Sequence, residues 1–439
     1  MKLAHWLCVL GLLLVVGCLP NPVSVSKDGT IALTLSETGE YELIQGEGRQ
    51  VYLTNASADF LEKVEGLDKC RMPVISPSGK YVLACSDKEL LLHDRKTKKT
   101  RAIYRARDDN SDGAINFPVW SPDERKIAFF AEGFGPDELP ALCVYDVARR
   151  ETEVLLRRAS PQAAWLPDSK RLVYVSLPHG VVGNGVNPFG DLNVIHITTQ
   201  KERTLARGQV FWLSGVAVFP EGNAVLFPCA DWEGADLVPT GMSVPVVLRK
   251  ELLPVVTQKT APQPAGAAQN EGVPGGGATE SQAGGGQTVP AAAERKEESL
   301  VLEEGQPFFP MTCAVSPDGK KIAYVRYVWD GDSAVAERSP GETESASAAE
   351  QKEGRRRGLE FCVARADGTG IVALLRRMEK DNAQVLWIDD SRLLCVADDE
   401  IVAVGVDGKT PAVITEVIKT KFADRLQPTS VQEETGPGR

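Results

Sequence analysis

The sequence has few of the residues from which catalytic and metal sites are usually built. It contains four histidines in 439 residues, and one of them, His5, lies within the first ten residues. No G-x-S-x-G, H-E-x-x-H or P-loop motif occurs. The nine cysteines include no C-x-x-C pair, which argues against a zinc site. The sequence therefore predicts no catalytic residue, no cofactor and no metal site.

Positive charge is also in deficit. The chain has 49 Lys and Arg against 60 Asp and Glu, a formal net charge of −11. No stripe of basic residues is present to neutralise phosphates, so we expect no nucleic-acid partner. The 40 glycines and 28 prolines, together with the scarcity of long stretches of helical period, favour an all-β protein.

The amino terminus carries an uncharged apolar run over residues 7–16. This run is about half of the roughly 20 residues that a transmembrane helix needs, so it predicts a secretory signal peptide over residues 1–17. Gly17 directly before Cys18, with Leu14 and Val15 upstream, resembles the lipobox of bacterial lipoproteins. The resemblance implies that Cys18 carries lipid and anchors the chain in a membrane. The alternative is an ordinary signal peptide that contains a cysteine, although ordinary cleavage sites favour a small residue where Val15 stands.

A strand-turn-strand unit recurs along the rest of the chain. Its clearest copy is Ser316-Pro317-Asp318-Gly319 followed by an apolar run that begins at Ile322. Proline sets φ for the first corner of a tight turn, Asp bonds the local backbone, and Gly adopts the left-handed conformation before the returning strand. Apolar residues on both sides of such a turn predict a β-hairpin.

Seven copies of this hairpin can be placed on the sequence. Their turns end at residues 29, 79, 124, 169, 222, 319 and 391. The first four steps are 45 to 53 residues, and the last two contain insertions at 251–298 and 329–358. A period in the forties with four short strands per unit is typical of a β-propeller blade. We therefore predict a single β-propeller, most simply of seven four-stranded blades, with two low-complexity insertions.

The repeat resembles that of a known family. The phrases Trp120-Ser121-Pro122-Asp123 and Val144-Tyr145-Asp146-Val147 are similar to the repeat of TolB-type propellers, which also occurs in the propellers of prolyl-oligopeptidase-like enzymes. The resemblance covers roughly residues 22–416 and implies a fold, not an activity. The chain departs from TolB in lacking the separate α/β domain that precedes the propeller there.

Three segments fall outside the repeat. We assign 18–416 to the propeller, with 251–298 as a Gly-, Ala- and Pro-rich insertion in blade 5 and 329–358 as an insertion in blade 6. The composition of the first insertion buries too little apolar surface to offset the entropy of ordering it, so we expect disorder. The tail at 417–439 is expected to be largely disordered as well.

Two cysteines and one acidic loop suggest further chemistry. Folding the second hairpin about its turn places Cys70 opposite Cys85, where a disulfide could form in an oxidising compartment; two thiols are the alternative. The segment from Asp108 to Gly113 matches the first half of a calcium loop, but Val119 occupies the position of the closing carboxylate. An acidic loop without metal is therefore the expectation.

Function is predicted from the architecture. Long loops at 131–140, 178–190 and 329–358 and the loop at Asp108 are expected on one face of the propeller, where loops on a rigid scaffold commonly bind partners. We expect a non-enzymatic, lipid-anchored scaffold of the cell envelope that binds protein partners at the periplasmic or exterior side of a membrane. The alternative is a secreted propeller hydrolase or lyase with its active site in the axial funnel.

Overall fold

Antiparallel sheets built from consecutive strands are the unit of this structure. The computed structural model describes residues 23–36, 49–86, 88–106, 115–134, 139–157, 159–176, 181–182, 185–186, 189–211, 215–230, 246–253, 308–329, 357–378, 383–397, 400–409 and 411–426. We call each predicted hairpin, with the strands that follow it, a repeat, and number the repeats one to seven.

The first three repeats each form a four-stranded sheet in chain order. The first contains β1 (Val23–Val25), β2 (Ile31–Leu35), β3 (Gln50–Thr54) and β4 (Glu62–Lys63). The second contains β5 (Arg71–Ile75), β6 (Tyr81–Cys85), β7 (Glu89–Asp94) and β8 (Lys99–Arg105). The third contains β9 (Ile115–Trp120), β10 (Lys126–Phe134), β11 (Leu139–Asp146) and β12 (Glu151–Arg157).

The fourth and fifth repeats share one seven-stranded sheet. The fourth contributes β13 (Ala159–Trp165), β14 (Arg171–Ser176), β17 (Phe189–His196) and β18 (Glu202–Phe211), and β15 (Val181–Val182) pairs with β16 (Gly185–Val186) as a separate ribbon. The fifth contributes β19 (Ala217–Val218), β20 (Ala224–Ala230) and β21 (Val246–Leu252).

The last two repeats return to four strands each. The sixth contains β22 (Phe308–Val315), β23 (Lys321–Trp329), β24 (Arg357–Arg365) and β25 (Val372–Met378). The seventh contains β26 (Ala383–Asp389), β27 (Arg392–Ala397), β28 (Glu400–Gly405) and β29 (Ala412–Val413). A short helix, α1 (Ile414–Lys421), and a 3-10 turn at Ala423–Arg425 follow.

The first strands of the repeats form a closed ring. The contacts run from β1 to β5, β9, β13, β19, β22 and β26, and β26 contacts β1. A ring of antiparallel sheets arranged in this way is a β-propeller, as the sequence predicts. All seven predicted hairpins are present.

The number of blades is not confirmed by the sheets. Apart from the ribbon of β15 and β16, the described residues form six sheets and not seven. The difference arises because Val210 of β18 pairs with Cys229 of β20 and joins the fourth repeat to the fifth.

Each hairpin turn is held by its own side chains. In the sixth repeat the Ser316 hydroxyl donates to Asp318 Oδ1 at 2.7 Å, and the backbone N–H of Lys320 donates to the same oxygen at 3.0 Å. Gly319 has φ of +70°, which is the left-handed conformation that the turn requires. In the third and fourth repeats Glu124 and Ser169 adopt this conformation with φ of 59° and 55°, so the turn forms there without glycine.

Apolar clusters fill the space between neighbouring repeats. The second strands are buried on both faces because a neighbouring sheet covers each face, which explains why they are continuous apolar runs and do not alternate. In β6, for example, Val82, Leu83 and Ala84 are all 0% exposed. At about 1.5–3 kcal/mol for each fully buried large aliphatic side chain, these contacts between sheets dominate the stability.

The ring closes through side chains and a helix. Ile31 and Leu33 of β2 share one core cluster with Leu394 of β27 and with Ile414 and Ile418 of α1. The packed structure therefore extends past residue 416, where the sequence analysis placed the start of the tail. None of the helices in the described part of the chain has the length and apolar character needed to cross a membrane.

Candidate functional site

Most of the residues singled out from the sequence lie outside the described ranges. These are Cys18, the acidic segment around Asp108, about half of the loop at 178–190 and nearly all of the loop at 329–358. Of the predicted loop at 131–140, residues 131–134 and 139–140 instead extend β10 and β11. Lipidation, calcium binding and the role of that loop face therefore stay predictions. Within the described ranges, no group of three or more His, Cys, Asp or Glu side chains is arranged to hold a metal ion.

The predicted disulfide is not present. Cys70 and Cys85 are both completely buried and carry thiols, and the Cys70 thiol donates to the carbonyl oxygen of Asp68 at 3.5 Å. Cys85 pairs with Arg71 and not with Cys70, because the turn is centred one residue later than simple counting assumes, so that Ile75 pairs with Val82. Burial raises the pKa of the Cys85 thiol to about 12. The opposed pair predicted from simple hairpin counting is therefore wrong.

A groove lies between the third and fourth repeats. Its volume is ≈ 240 Å³, and it is lined by Lys126, Val144, Asp146, Arg149, Glu153, Leu155, Ile197 and Thr198. These residues belong to β10, β11, β12 and the turns after β11 and β17. The groove therefore lies at the end of the propeller where the hairpin turns are, and not at the end where β1 begins.

The floor of the groove is apolar and its rim is charged. Val144, Leu155 and Ile197 are each about nine-tenths buried, at 8% exposure. Arg149, Glu153 and Thr198 are exposed around them. An apolar floor inside a polar rim is the arrangement that receives an apolar side chain from a binding partner.

One ion pair fixes the inner wall of the groove. Lys126 Nζ donates to Asp146 Oδ2 at 2.7 Å, and the side chains are 28% and 23% exposed. The pKa of Asp146 is lowered below its usual value by the hydrogen bond from Lys126 and by those from the backbone N–H groups of Arg149 and Ala148. Because Lys126 and Asp146 neutralise each other, Arg149 and Glu153 supply the charges at the rim.

His196 shapes the opposite wall. Its Nδ1 accepts hydrogen bonds from the backbone N–H groups of Thr198 and Thr199, both at 3.3 Å. Asp146 Oδ1 accepts the two equivalent bonds in the third repeat, from Ala148 at 3.0 Å and Arg149 at 2.9 Å. His196 is thus a turn-forming residue at the end of a third strand, and it holds Thr198 at the rim.

A buried ion pair between Arg326 and Glu360 is part of the sheet of the sixth repeat and does not form a site. Arg326 and Glu360 face each other on β23 and β24, and Arg326 Nε donates to Glu360 Oε2 at 2.8 Å. Their side chains are only 12% and 4% exposed. A paired charge on directly opposed strand positions satisfies both groups within the sheet, so this pair stabilises the sixth repeat.

The sequence analysis did not identify the groove. Its residues come from two repeats that are separated by about one repeat length, and none of them is unusual by itself. A weak signal existed, since Asp94 and Asp146 end the third strands of the second and third repeats, and His196 stands at the equivalent position of the fourth.

No protein-family model and no curated protein matches this chain. Solved structures do match. A puromycin-hydrolysing peptidase of Mycobacterium tuberculosis is 12% identical with a TM-score of 0.52, over 91% of this chain and 54% of the peptidase. The β-propeller domain of the Trilobed protease from Pyrococcus furiosus is 13% identical with a TM-score of 0.50, over 91% of this chain and 96% of that domain. The chain is a β-propeller.

The propeller also matches TolB from Acinetobacter baumannii, at 12% identity and a TM-score of 0.39 over 84% of this chain and 76% of TolB. The fold that the TolB-type resemblance implies, a β-propeller, is the fold of this chain. The chain spans about a third of a tricorn protease, 34%, and about half of the peptidase, 54%, so those proteins contain much that this propeller does not.

One expectation from the sequence needs correction. We expected a protein that is not an enzyme, because conventional catalytic motifs are missing. The propeller nevertheless shares its fold with propellers that belong to a peptidase and a protease. Lack of a familiar motif therefore does not exclude enzymatic activity for a propeller, because one fold carries unrelated functions.

Proposed function

We propose that this chain is a lipid-anchored protein of the bacterial cell envelope whose propeller recruits a protein partner. The groove between the third and fourth repeats carries the proposal. Its ≈ 240 Å³ is smaller than the roughly 300–1,000 Å³ of pockets that enclose drug-sized ligands. It has room for one large side chain, and an apolar pocket inside a charged rim is typical of the anchor sites that contribute most to protein interfaces.

The location of the protein is proposed from the amino terminus. Cys18 is the lipidation candidate, and β1 begins at Val23. The five residue steps from Cys18 to Val23 span under about 20 Å at roughly 3.3–3.6 Å per residue. Because β1 begins at the end of the propeller opposite the hairpin turns, the groove would face away from the membrane and remain accessible to a partner.

We further propose seven blades. The seven-stranded sheet contains two of the predicted hairpins, and among the described residues a single register pair, Val210 with Cys229, joins its two halves. One such pair is compatible with two blades in contact.

The test is an affinity purification of the full chain from its own cells. Thr198→Trp should fill the groove, and Lys96→Trp is the matched control because Lys96 occupies the equivalent turn position of the second repeat. A partner that is recovered with the unmodified chain and with Lys96→Trp, but lost with Thr198→Trp, supports the proposal. Equal recovery with both variants would contradict it.

A further inference from the structure

In the second and fourth repeats the turn after the third strand contacts the outer strand of the repeat before it. The junction between the first and second repeats is closed by charge. Glu62 of β4 forms ion pairs with Arg95, at 3.4 Å, and with Lys98, both from the turn of the second repeat. Thr100 also donates to the carbonyl oxygen of Glu65 at 3.0 Å.

The junction between the second and third repeats is closed by a cation and an aromatic ring. Arg101 of β8 donates to the Tyr145 hydroxyl at 2.9 Å, and its guanidinium carbon lies 5.9 Å from the ring centroid. Long side chains of the protein therefore occupy both of these junctions.

The junction between the third and fourth repeats lacks such a filling within the described residues. The fourth repeat contributes Ile197 and Thr198, which are short, and the polar bridge is Gln200 Nε2 to Glu153 Oε1 at 3.2 Å. The groove lies at this junction, where the fourth repeat has Ile197 and Gln200 at the turn positions that Arg95 and Lys98 occupy in the second repeat. Gln200 is uncharged, so its hydrogen bond does not neutralise Glu153 in the way that Arg95 and Lys98 neutralise Glu62.

We infer that a linear segment of a partner protein completes this junction, with one apolar side chain on the groove floor, a basic residue on one side of it and an acidic residue on the other. The apolar anchor matches Val144, Leu155 and Ile197. The basic residue meets Glu153, and the acidic residue meets Arg149. This inference rests on the proposed function and specifies the partner's chemistry.

A linear segment fits better than a folded surface because of the shape of the site. The groove has the volume of a single side chain and is bordered on two sides by turns, those after β11 and β17. An extended chain can place one side chain between two turns while its flanking residues reach the two rim charges. Opposite charges at the two ends of the anchor also fix the direction in which the segment runs.

The experiment pans a phage-displayed library of random linear heptapeptides against the full chain and then measures the affinity of the selected peptide by fluorescence polarisation. We expect selected peptides to share an apolar residue between a basic and an acidic one. The double variant Arg149→Glu with Glu153→Arg should weaken binding about tenfold or more, because two exposed charge contacts become repulsive. A peptide with its two charges exchanged should recover binding to that variant.

Two controls separate the outcomes. Thr198→Trp should abolish peptide binding, and Lys96→Trp should leave the affinity within about twofold. Peptides that bind equally to Thr198→Trp, or that lack the charge pattern and ignore the charge exchange, would overturn the inference. If the purification described above finds a partner that depends on Thr198 while no linear peptide is selected, the proposed function stands and the inference on the linear segment fails.

Discussion

At the residue scale, carboxylates that bind their own backbone hold the hairpin turns. An aspartate in five of the seven turns accepts a hydrogen bond from the N–H two residues further on; these are Asp28, Asp123, Asp168, Asp318 and Asp389. The pKa of each of these carboxyls is lowered. At Asp389 burial opposes the shift, but hydrogen bonds from Ser391 and Arg392 outweigh it and lower the pKa to about 2.

These shifts predict loss of stability in acid. A carboxyl whose pKa is lower in the folded chain than in the unfolded chain stabilises the fold above its unfolded pKa of about 3.9. That contribution falls as the pH drops through the folded value, so the free energy of unfolding should decrease from about pH 4 towards about pH 2. Denaturant unfolding at a series of pH values measures it. Asp389→Asn should be less stable than the unmodified chain at pH 7 and should lose less between pH 4 and 2; a parallel pH profile would refute this role.

His196 gives a second prediction at this scale. His196→Ala removes the acceptor of two backbone N–H groups and should lower the free energy of unfolding by about 1 kcal/mol. His196→Asp should retain most of the stability, because Asp94 and Asp146 make the equivalent bonds in the second and third repeats. Denaturant unfolding of the two variants is the measurement. An Asp variant as unstable as the Ala variant would mean that His196 acts through packing.

At the scale of the elements, local chemistry explains what could be predicted. The hairpins were predictable because Pro, Asp and Gly each act on their own turn. The register of the second hairpin was not, because its turn is centred one residue later than counting along the sequence assumes, which places Arg71 and not Cys70 opposite Cys85. The groove depends on two repeats packing together, and no short stretch of sequence encodes that.

Helix α1 is the element that the sequence analysis missed. Ile414, Val417 and Ile418 have helical spacing, but eight residues are too few to stand out, and the helix forms because the first repeat covers it. Arg425 Nη1 also donates to the carbonyl oxygen of Leu61 at 3.2 Å. The helix therefore joins the seventh repeat to the first.

This role predicts a large effect of a buried truncation. Ile418 is 0% exposed, so Ile418→Ala should lower the free energy of unfolding by about 2–5 kcal/mol. Glu416→Ala on the exposed side of the same helix is the control and should change it by less than about 0.5 kcal/mol. Similar small effects of both substitutions would show that the ring closes without the helix.

At the scale of the whole molecule, the sheets close into a ring by side-chain packing. Among the described residues, each four-stranded sheet consists of strands in chain order, and the first and seventh repeats meet through the cluster that includes Ile31 and Leu394. Strand β1, which follows the proposed anchor at Cys18, begins at the end of the ring opposite the groove. If Cys18 carries lipid as proposed, the groove stays accessible to a partner.

The anchor makes its own prediction. Acyl chains contribute about 0.8 kcal/mol for each buried methylene, so two or three chains on Cys18 are sufficient for stable anchoring. Cys18→Ser should move the protein from the membrane fraction to the soluble fraction of cells, as followed by immunoblotting. Membrane association that is unchanged in Cys18→Ser would argue against lipidation.

Photo-crosslinking in living cells tests the central claim most directly, namely that this envelope propeller recruits a protein through the groove between its third and fourth repeats. A photoreactive amino acid in place of Thr198 should yield a discrete adduct with a second protein on irradiation. The same amino acid in place of Lys96, at the equivalent turn of the second repeat, should yield little or none. No adduct from position 198, or equal adducts from both positions, would contradict the account.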